Sequence, residues 1–456
     1  MIKKGASHLD MLNGPIAIKM IWFALPVALS ALFQQMLNAT DIAVVGHFAS
    51  SDAMAAVGAN TFIINLMLNI FIGLSVGANV VIAQLIGQKD KENTNKAVHT
   101  TVLLSIFCGL FMSILGWFIA RPVLTLLSTP DEILDLAVLY FRIYFLGMPF
   151  IILFNFESAI LRSKGDTKRP LYVLIISGIF NVLLNLFLVV KCHLSVEGVA
   201  IATLVSSIIS SLSLLYMLSK ESPDLRIEIH KLKIHWNILK RIAYIGIPAG
   251  IQGMIFNFSN VMIQGGINSL GTAAVAANTA SLNFDYFCFF IGNAFGQAGT
   301  SFMSQNYGAK QIDRCQRVVR NSMIIGPVTV LIVSSIFILF ANQLASFFTS
   351  DPEVIRLAVI RSQIVLAIYS IHSFNEIMSG ILRSLGYAII PAWINIIFIC
   401  GVRLIWLFFV FPMKPEMGFL MYCYPISWIV NVAILMPVFF VLVHRSLWKA
   451  RTLVKY

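Results

Sequence analysis

Charged residues are scarce in this chain. Only 11% of its 456 residues are Asp, Glu, Lys or Arg, whereas 58% are hydrophobic. Soluble domains carry about 25% charged residues, so the composition excludes a soluble protein and indicates a polytopic membrane protein. The 32 basic residues outnumber the 20 acidic ones, but they are dispersed among short segments, which argues against nucleic-acid binding.

Cysteine and histidine motifs are also missing. There is no CxxC pair, no HExxH motif, no nucleophile elbow and no cluster of paired acids, so the sequence predicts neither an enzyme nor a resident cofactor. The cysteines are Cys108, Cys192, Cys288, Cys315, Cys400 and Cys423. Their positions favour packing, although a disulfide between Cys192 and Cys423 is left open.

Long apolar stretches occupy most of the chain. A membrane helix needs about 20 mostly apolar residues, and the sequence offers twelve such stretches. They are 17–46, 54–84, 97–118, 133–159, 170–190, 196–219, 242–268, 273–304, 319–341, 354–380, 389–411 and 417–443. We therefore predict an all-α polytopic membrane protein with twelve transmembrane helices.

Basic residues are concentrated in alternate loops and in both tails, as in "LRSKGDTKR" and "KLKIHWNILKR". Because Lys and Arg accumulate on the cytoplasmic side, both termini are predicted to be cytoplasmic. The net charge of +12 also suits anionic lipid of the inner leaflet. We expect a multi-pass monomer in the inner (plasma) membrane.

The chain contains an internal duplication. "AVGANT" at 56–61 returns as "AVAANT" at 274–279, and "ILRSKGDTKRP" at 160–170 returns as "ILRSLGYAIIP" at 381–391. Pro26 and Asn38 correspond to Pro248 and Asn260, but Ile263 stands where the first copy has Asp41. Such ordered self-similarity indicates two copies of one unit, although duplication for packing alone stays open.

Six predicted spans in each copy give both copies the same orientation. The predicted domains are an N-lobe at 1–218, a cytoplasmic linker at 219–241, and a C-lobe with the C-terminal tail at 242–456. Parallel six-helix lobes are common in secondary transporters, in which substrate lies between lobes that expose it alternately to either side.

Several motifs resemble one known family. The proline in "LPVALSALFQQMLNATD", the glycine-rich "GLSVGANVVIAQLIG" and the "LRSKGDT" loop, each within a duplicated six-span lobe, are similar to the multidrug and toxic compound extrusion (MATE) transporters. The similarity covers essentially the full chain. It implies export of amphipathic, often cationic drugs in exchange for Na⁺ or H⁺.

The resemblance also implies a cation site in the N-lobe, as in one branch of the family. Its members would be Asp41 on the first helix, Asn181 and Asn185 in "IFNVLLNLFLV", and Thr203 in "GVAIATLV". Many relatives carry a second carboxylate where this chain has Asn185, so the identity of the coupling ion stays open between Na⁺ and H⁺.

Helix geometry independently places these residues at one depth. Asn181 and Asn185 share a helix face and lie about 17 and 22 Å from the inner end of their helix, while Thr203 lies about 10 Å from an outer end. Asp41 comes late on an outward-running helix. Carboxylate, amide and hydroxyl oxygens suit a hard cation. The alternatives are an Asp41 that reaches water at the outer end, and asparagines that only join helices.

A carboxylate in a membrane is by default a functional residue, because inserting it costs roughly 2.5–3.5 kcal/mol. Burial disfavours its charged form, so either Na⁺ or H⁺ can neutralise Asp41. We expect loading of Asp41 to shift the N-lobe between two packings, with Pro26 as the hinge because its ring removes a helix hydrogen bond.

The substrate site is predicted from polar and aromatic residues that line predicted helices. Asp285 is expected near the membrane midplane, either attracting an organic cation or making a polar contact with another helix. The other predicted substrate-binding residues are Gln34, Met254, Asn257, Asn260 and Phe289. Glu157 and Glu376 are interpreted as interfacial and ion-paired.

Three other functions remain in competition. A flippase of lipid-linked oligosaccharide from the same superfamily would need several cations in its cavity, and only Arg142, Arg361 and Arg403 are candidates. The partner of Arg403 is not evident. A membrane enzyme lacks its motifs, and a channel is disfavoured because two unlike lobes suggest alternating access.

Overall fold

The computed structural model describes residues 8–127 and 129–452, and every regular element assigned to them is helical. In hydrocarbon, each backbone N–H and C=O group needs a partner within its own segment, so long apolar stretches fold as helices. The predicted all-helical class is confirmed.

The first repeat contains seven α-helices. They are α1 (Ile16–Phe48), α2 (Ser51–Gln88), α3 (Lys91–Leu126), α4 (Asp131–Leu146), α5 (Met148–Lys164), α6 (Lys168–Leu186) and α7 (Val196–Ser219). A π-helical segment, Phe187–Lys191, continues α6. A short 3-10 turn at Ile229–Lys231 lies in the segment that connects the repeats.

The second repeat follows the same order with more interruptions. Its α-helices are α8 (Trp236–Asn268), α9 (Thr272–Gly308), α10 (Ile312–Leu339), α11 (Ala341–Phe348), α12 (Pro352–Leu366), α13 (Tyr369–Ser384), α14 (Ile389–Asn395), α15 (Val402–Ile405), α16 (Met417–Met421) and α17 (Cys423–Thr452). The π-helical segments Ile396–Gly401 and Trp406–Val410 flank α15.

Nine of the described helical segments are long and apolar enough to cross a membrane, and up to eleven if each bent helix pair is one span. The chain is thus a multi-pass membrane protein. The eighth predicted span, 273–304, is the one that fails this test; it corresponds to α9, which has 37 residues but carries many polar side chains. The count of twelve therefore exceeds the eleven spans that length and hydropathy support.

The duplication is visible in local geometry. α4 and α5 meet at a bend of 46°, and their counterparts α12 and α13 meet at 43°. In each repeat a glycine follows two residues after the "ILRS" motif. These are Gly165 and Gly386, whose φ angles are +95° and +90°. Only glycine adopts this left-handed conformation easily, and a Cβ on Gly165 would approach the Leu9 carbonyl oxygen to 2.4 Å. The same chain reversal therefore occurs in both repeats.

The chain divides into two compact units, and the divisions fall inside helices. The first unit comprises residues 8–9 and 29–246, and the second comprises residues 10–28 and 247–452. One division lies two residues beyond Pro26 in α1, and the other lies one residue before Pro248 in α8. The prolines predicted as equivalent thus occupy equivalent places in the fold.

Candidate functional site: a buried carboxylate and its neutral partners

Asp41 lies in the last third of α1 and is buried, with only 7% of its surface exposed. No ion pair joins it to a Lys, Arg or His of the described residues. A buried carboxylate without a counter-charge is unfavourable unless it is hydrogen-bonded or neutralised. The residues around Asp41 therefore determine whether its carboxylate is stabilised by hydrogen bonds or neutralised by a bound cation or proton.

Each carboxylate oxygen of Asp41 has one hydrogen-bond donor. The Asn185 amide nitrogen donates to Oδ1 over 2.5 Å, and the Thr203 hydroxyl donates to Oδ2 over 3.1 Å. Both donors are neutral, so they stabilise the carboxylate without compensating its charge. Asn185 is fully buried in the last turn of α6, two residues before the π-helical segment, a distortion that is frequent at functional sites.

Asn181 lies close to the other polar side chains around Asp41. Its amide nitrogen lies 3.4 Å from the Thr203 hydroxyl oxygen and 3.3 Å from the Ser206 hydroxyl oxygen. The Asn185 nitrogen also lies 3.4 Å from the Asn181 amide oxygen. The structure therefore brings together all of the predicted cation-site residues, Asp41, Asn181, Asn185 and Thr203. Ser206 was missed, although its place one helical turn after Thr203 puts it on the same face of α7.

The donor chemistry of this cluster fits a hard cation. The Asn185 amide oxygen is buried and has no hydrogen-bond partner among the described residues, which leaves one acceptor unused beside the carboxylate. A half-turn of the amide would direct that oxygen, in place of the nitrogen, toward Asp41. The described residues hold no group of three or more His, Cys, Asp or Glu, so the arrangement does not resemble a transition-metal site.

The predicted substrate-binding residues differ in exposure and in their hydrogen-bond partners. Gln34 is exposed on α1, while Met254 on α8 and Phe289 on α9 are half-buried. The Asn257 side chain donates to the Gly253 carbonyl of its own helix over 3.0 Å. Asn260 accepts a hydrogen bond of 2.9 Å from Arg403.

Asp285 is paired with a cation of its own chain. The Arg361 guanidinium donates to the Asp285 carboxylate over 2.6 Å and to the Asn278 amide oxygen over 2.7 Å. Arg361 is 1% exposed and Asp285 is 8% exposed. Asp285 was predicted either to attract an organic cation or to make a polar contact with another helix. The structure shows the polar contact, between Asp285 on α9 and Arg361 on α12.

The expectation that Glu157 is ion-paired was wrong, and the disulfide that was left open does not form. Glu157 is completely buried, and neither carboxylate oxygen has a hydrogen-bond partner in the described part of the chain, so it is not ion-paired. The cysteines are all free, which removes the disulfide that was left open: Cys192 is exposed, whereas Cys423 is buried. Glu376 makes a hydrogen bond of 3.3 Å with Asn293.

The fold and the duplication define a multi-pass membrane transporter with paired repeats. The MatE family model matches residues 26–187 and again 248–408, once in each half, so the chain belongs to the MatE family. The predictions of a MATE-family transporter and of a protein that is not an enzyme are thereby confirmed. The narrower assignment to the branch with an N-lobe cation site stays a prediction.

Curated relatives are similar over most of their length. The chain is 28% identical to "Probable multidrug resistance protein YoeA" of Bacillus subtilis, over 84% of each chain. It is 26% identical to "Probable multidrug resistance protein NorM" of Thermotoga maritima, over 85% of this chain and 84% of the relative.

A solved structure supports the fold across the whole chain. The outward-facing conformation of a multidrug resistance MATE family transporter matches with a TM-score of 0.88 and 20% identity. The match covers 99% of this chain and 100% of the other. At this identity the likeness shows the fold alone.

Proposed function

We propose that this protein is an antiporter that exports amphipathic organic compounds in exchange for Na⁺ or H⁺ bound at Asp41. The observation that carries the proposal is the buried Asp41 carboxylate with neutral hydrogen-bond partners only. Binding of a cation or a proton to such a group is favourable. If the binding is stronger in one conformation than in another, it shifts the equilibrium between them.

Asn181, Asn185 and Thr203 complete the proposed coupling site. With Na⁺, the Asn185 amide turns so that its unpartnered oxygen replaces the nitrogen beside the carboxylate. With H⁺, the protonated carboxyl gains a donor that the Asn181 or Asn185 oxygen can accept. The same side chains would hold either ion. Na⁺ and H⁺ are therefore alternative ways of neutralising one site.

The exported compounds are proposed from the relatives, whose names describe multidrug resistance. We further propose that loading of Asp41 changes the packing of α1 and that Pro26 is the hinge. Pro26 lies inside α1 next to the place where the two compact units divide the helix. A ligand shifts such an equilibrium only by its different affinities for the two states.

The decisive experiment is transport in proteoliposomes with Na⁺ and pH gradients imposed separately. A fluorescent dye is loaded, and its export is compared for the wild type and Asp41→Asn. We expect one gradient to drive export by the wild type and neither gradient to drive it in the variant. Asp52→Asn is the matched control, because Asp52 is an exposed acid in the first turn of α2.

Unchanged gradient-driven export by Asp41→Asn would reject the coupling site. If neither gradient drives dye export by the wild type, but lipid-linked oligosaccharide moves across the membrane, the protein is a flippase and the antiport proposal is wrong.

A further inference from the structure

Arg403 is completely buried inside the second unit. It lies on the four-residue helix α15, between the π-helical segments Ile396–Gly401 and Trp406–Val410. Such segments widen the helical turn and re-aim the side chains beside them, and they are frequent at functional sites. The α-helical turn between the two π-helical segments therefore places the positively charged Arg403 side chain in the protein interior.

The guanidinium of Arg403 has neutral partners. It donates to the Asn260 amide oxygen over 2.9 Å and to the Ser427 hydroxyl over 3.2 Å. Aromatic faces cover it, at 4.3 Å from the Tyr424 ring centroid and 5.1 Å from that of Phe256. No salt bridge joins Arg403 to an acid of the described residues. Its positive charge is therefore not compensated within the described chain.

Unused hydrogen-bonding nitrogens surround this charge. Arg403 Nη2, Trp428 Nε1 and His372 Nδ1 are buried and have no partner among the described residues. The Arg403 guanidinium carbon lies 5.8 Å from the Trp428 ring centroid, and the His372 and Trp428 rings are 5.2 Å apart. We refer to Arg403, Trp428 and His372 as the donor cluster. Buried polar groups in native proteins are normally satisfied, so this grouping requires an explanation.

The two repeats bury charges of opposite sign in corresponding groups of helices. The first copy has Asp41 where the second has Ile263. When the copies are aligned on Pro170 and Pro391, Arg403 stands one residue from the position of Asn181. The helices that hold a carboxylate among asparagines in the first unit thus hold an arginine beside Asn260 in the second. The site proposed to bind a cation in the first repeat thus corresponds to a site with a buried arginine in the second.

We propose that the donor cluster binds the anionic group of an amphipathic substrate, a carboxylate or a sulfonate on an aromatic body. Arg403 Nη2 and Trp428 Nε1 donate to the anion, and the half-buried rings of Phe256, Phe289 and Tyr424 contact the apolar body. Arginine suits such groups because its planar fork presents several donors together. The inference rests on the proposed export function and adds organic anions and zwitterions to its substrates.

The test compares two xanthene dyes of opposite charge. Fluorescein carries a carboxylate, whereas rhodamine 6G is a cationic ester of similar shape. Binding to the full chain in nanodiscs is measured by fluorescence anisotropy, with no ion gradient. We expect Arg403→Gln to weaken fluorescein binding about tenfold or more, since hydrogen bonds to charged groups are lost, while rhodamine 6G binding changes less than about threefold.

Two further variants keep the test decisive. Trp428→Phe retains the ring but removes the N–H donor, so it should weaken fluorescein binding about threefold or more and leave rhodamine 6G unaffected. Arg142→Gln is the matched control, because Arg142 also lies over an aromatic ring, at 5.1 Å from Trp117, but belongs to the first unit. Melting temperatures confirm that each variant is folded.

The outcomes separate this inference from the coupling proposal. Equal weakening of both dyes by Arg403→Gln and Trp428→Phe, or no binding of fluorescein by the wild type, overturns the anion site. Because binding is measured at equilibrium, a failure of Asp41-dependent transport leaves these results intact. Conversely, if the binding experiments reject the anion site, gradient-driven export of rhodamine 6G still tests the coupling proposal separately.

Discussion

The amide nitrogen of Asn185 lies 2.5 Å from a carboxylate oxygen of Asp41, although 144 residues separate the two in the chain. The contact connects the end of α6 with the end of α1. Because the same amide has an unpartnered oxygen, this side chain can serve either a bare carboxylate or a loaded one. We therefore regard Asn185 as the residue whose orientation reports the state of the site.

The Thr203 hydroxyl provides a test of which ion loads Asp41. Thr203→Val keeps the shape of the side chain but removes an oxygen 3.1 Å from the carboxylate. If Na⁺ is the coupling ion, the Na⁺ concentration for half-maximal export should rise about tenfold, because one oxygen ligand is lost. Export rates in proteoliposomes over a range of Na⁺ concentrations measure this effect.

Ser207→Ala is the matched control for Thr203→Val. The Ser207 hydroxyl donates to the backbone carbonyl of Thr203 over 2.7 Å, whereas the donors to Asp41 are Asn185 and Thr203. An unchanged Na⁺ dependence in Thr203→Val, with an altered pH dependence, would assign the coupling to protons.

The ion pair between Asp285 and Arg361 predicts a large effect on stability. Asp285→Asn leaves Arg361 buried without its counter-charge, and breaking a buried pair in this way typically costs about 3–5 kcal/mol. We expect a clear drop in the melting temperature of the detergent-solubilised protein. Asp285→Asn combined with Arg361→Met should recover part of that loss, because the uncompensated charge is also removed.

An exposed pair gives the comparison for Asp285. Asp313 pairs with Arg451 over 2.6 Å, but both side chains are more than half exposed. Asp313→Asn should therefore change the stability by less than about 1 kcal/mol. A melting temperature of Asp285→Asn equal to that of Asp313→Asn would contradict the structural role of the buried pair.

Depth along a helix is predictable from sequence, and the Asp41 cluster shows why. The rise per residue places Asn185 and Thr203 at a similar level from their own helix ends. Spacing by four residues then puts Asn181 and Asn185 on one face. The family resemblance supplied the four residues, and these two rules then predicted that they lie at one depth, because their helix ends are marked by prolines, polar loops or charge.

Rotation about the helix axis is harder to predict, and it accounts for the errors. A membrane helix is apolar on every side, so its sequence does not show which face is turned toward another helix. Glu157 was expected to be interfacial and ion-paired, but it lies in the middle of α5, is completely buried and has no hydrogen-bond partner among the described residues. Similarly, nothing in the sequence alone indicated that Arg361 faces Asp285 or that Arg403 faces Tyr424.

Cys192 allows the predicted orientation to be measured. It is exposed and lies directly after the π-helical segment, at the end of the hairpin between α6 and α7 that is predicted to be extracellular. A membrane-impermeant maleimide should label intact cells through Cys192, and Cys192→Ala should abolish that labelling. Labelling of Cys192 only in inverted vesicles would contradict cytoplasmic termini.

Glu221, in the segment that follows α7, predicts a pH-dependent contribution to stability. Its carboxylate contacts Lys164 over 2.7 Å and also pairs with Arg169. Burial alone would raise the pKa of Glu221, but the hydrogen bonds and charges of Lys164 and Arg169 lower it to about 2. The folded protein therefore holds this proton more weakly than an unfolded chain, whose glutamate has a pKa near 4.5.

The contribution of Glu221 is thus fully present above about pH 4.5 and is lost as the pH falls toward 2. At pH 7, Glu221→Gln should lower the melting temperature by about 2–4 °C, as expected for roughly 1 kcal/mol. At pH 3 the difference between wild type and variant should shrink, because the glutamate of the unfolded wild-type chain is then mostly protonated and must release this proton on folding. Glu416→Gln, which removes an exposed partner of Lys414, should show neither effect. A difference for Glu221→Gln that stays constant from pH 7 to pH 3 would mean that the glutamate stabilises the loop through its shape and not through its charge.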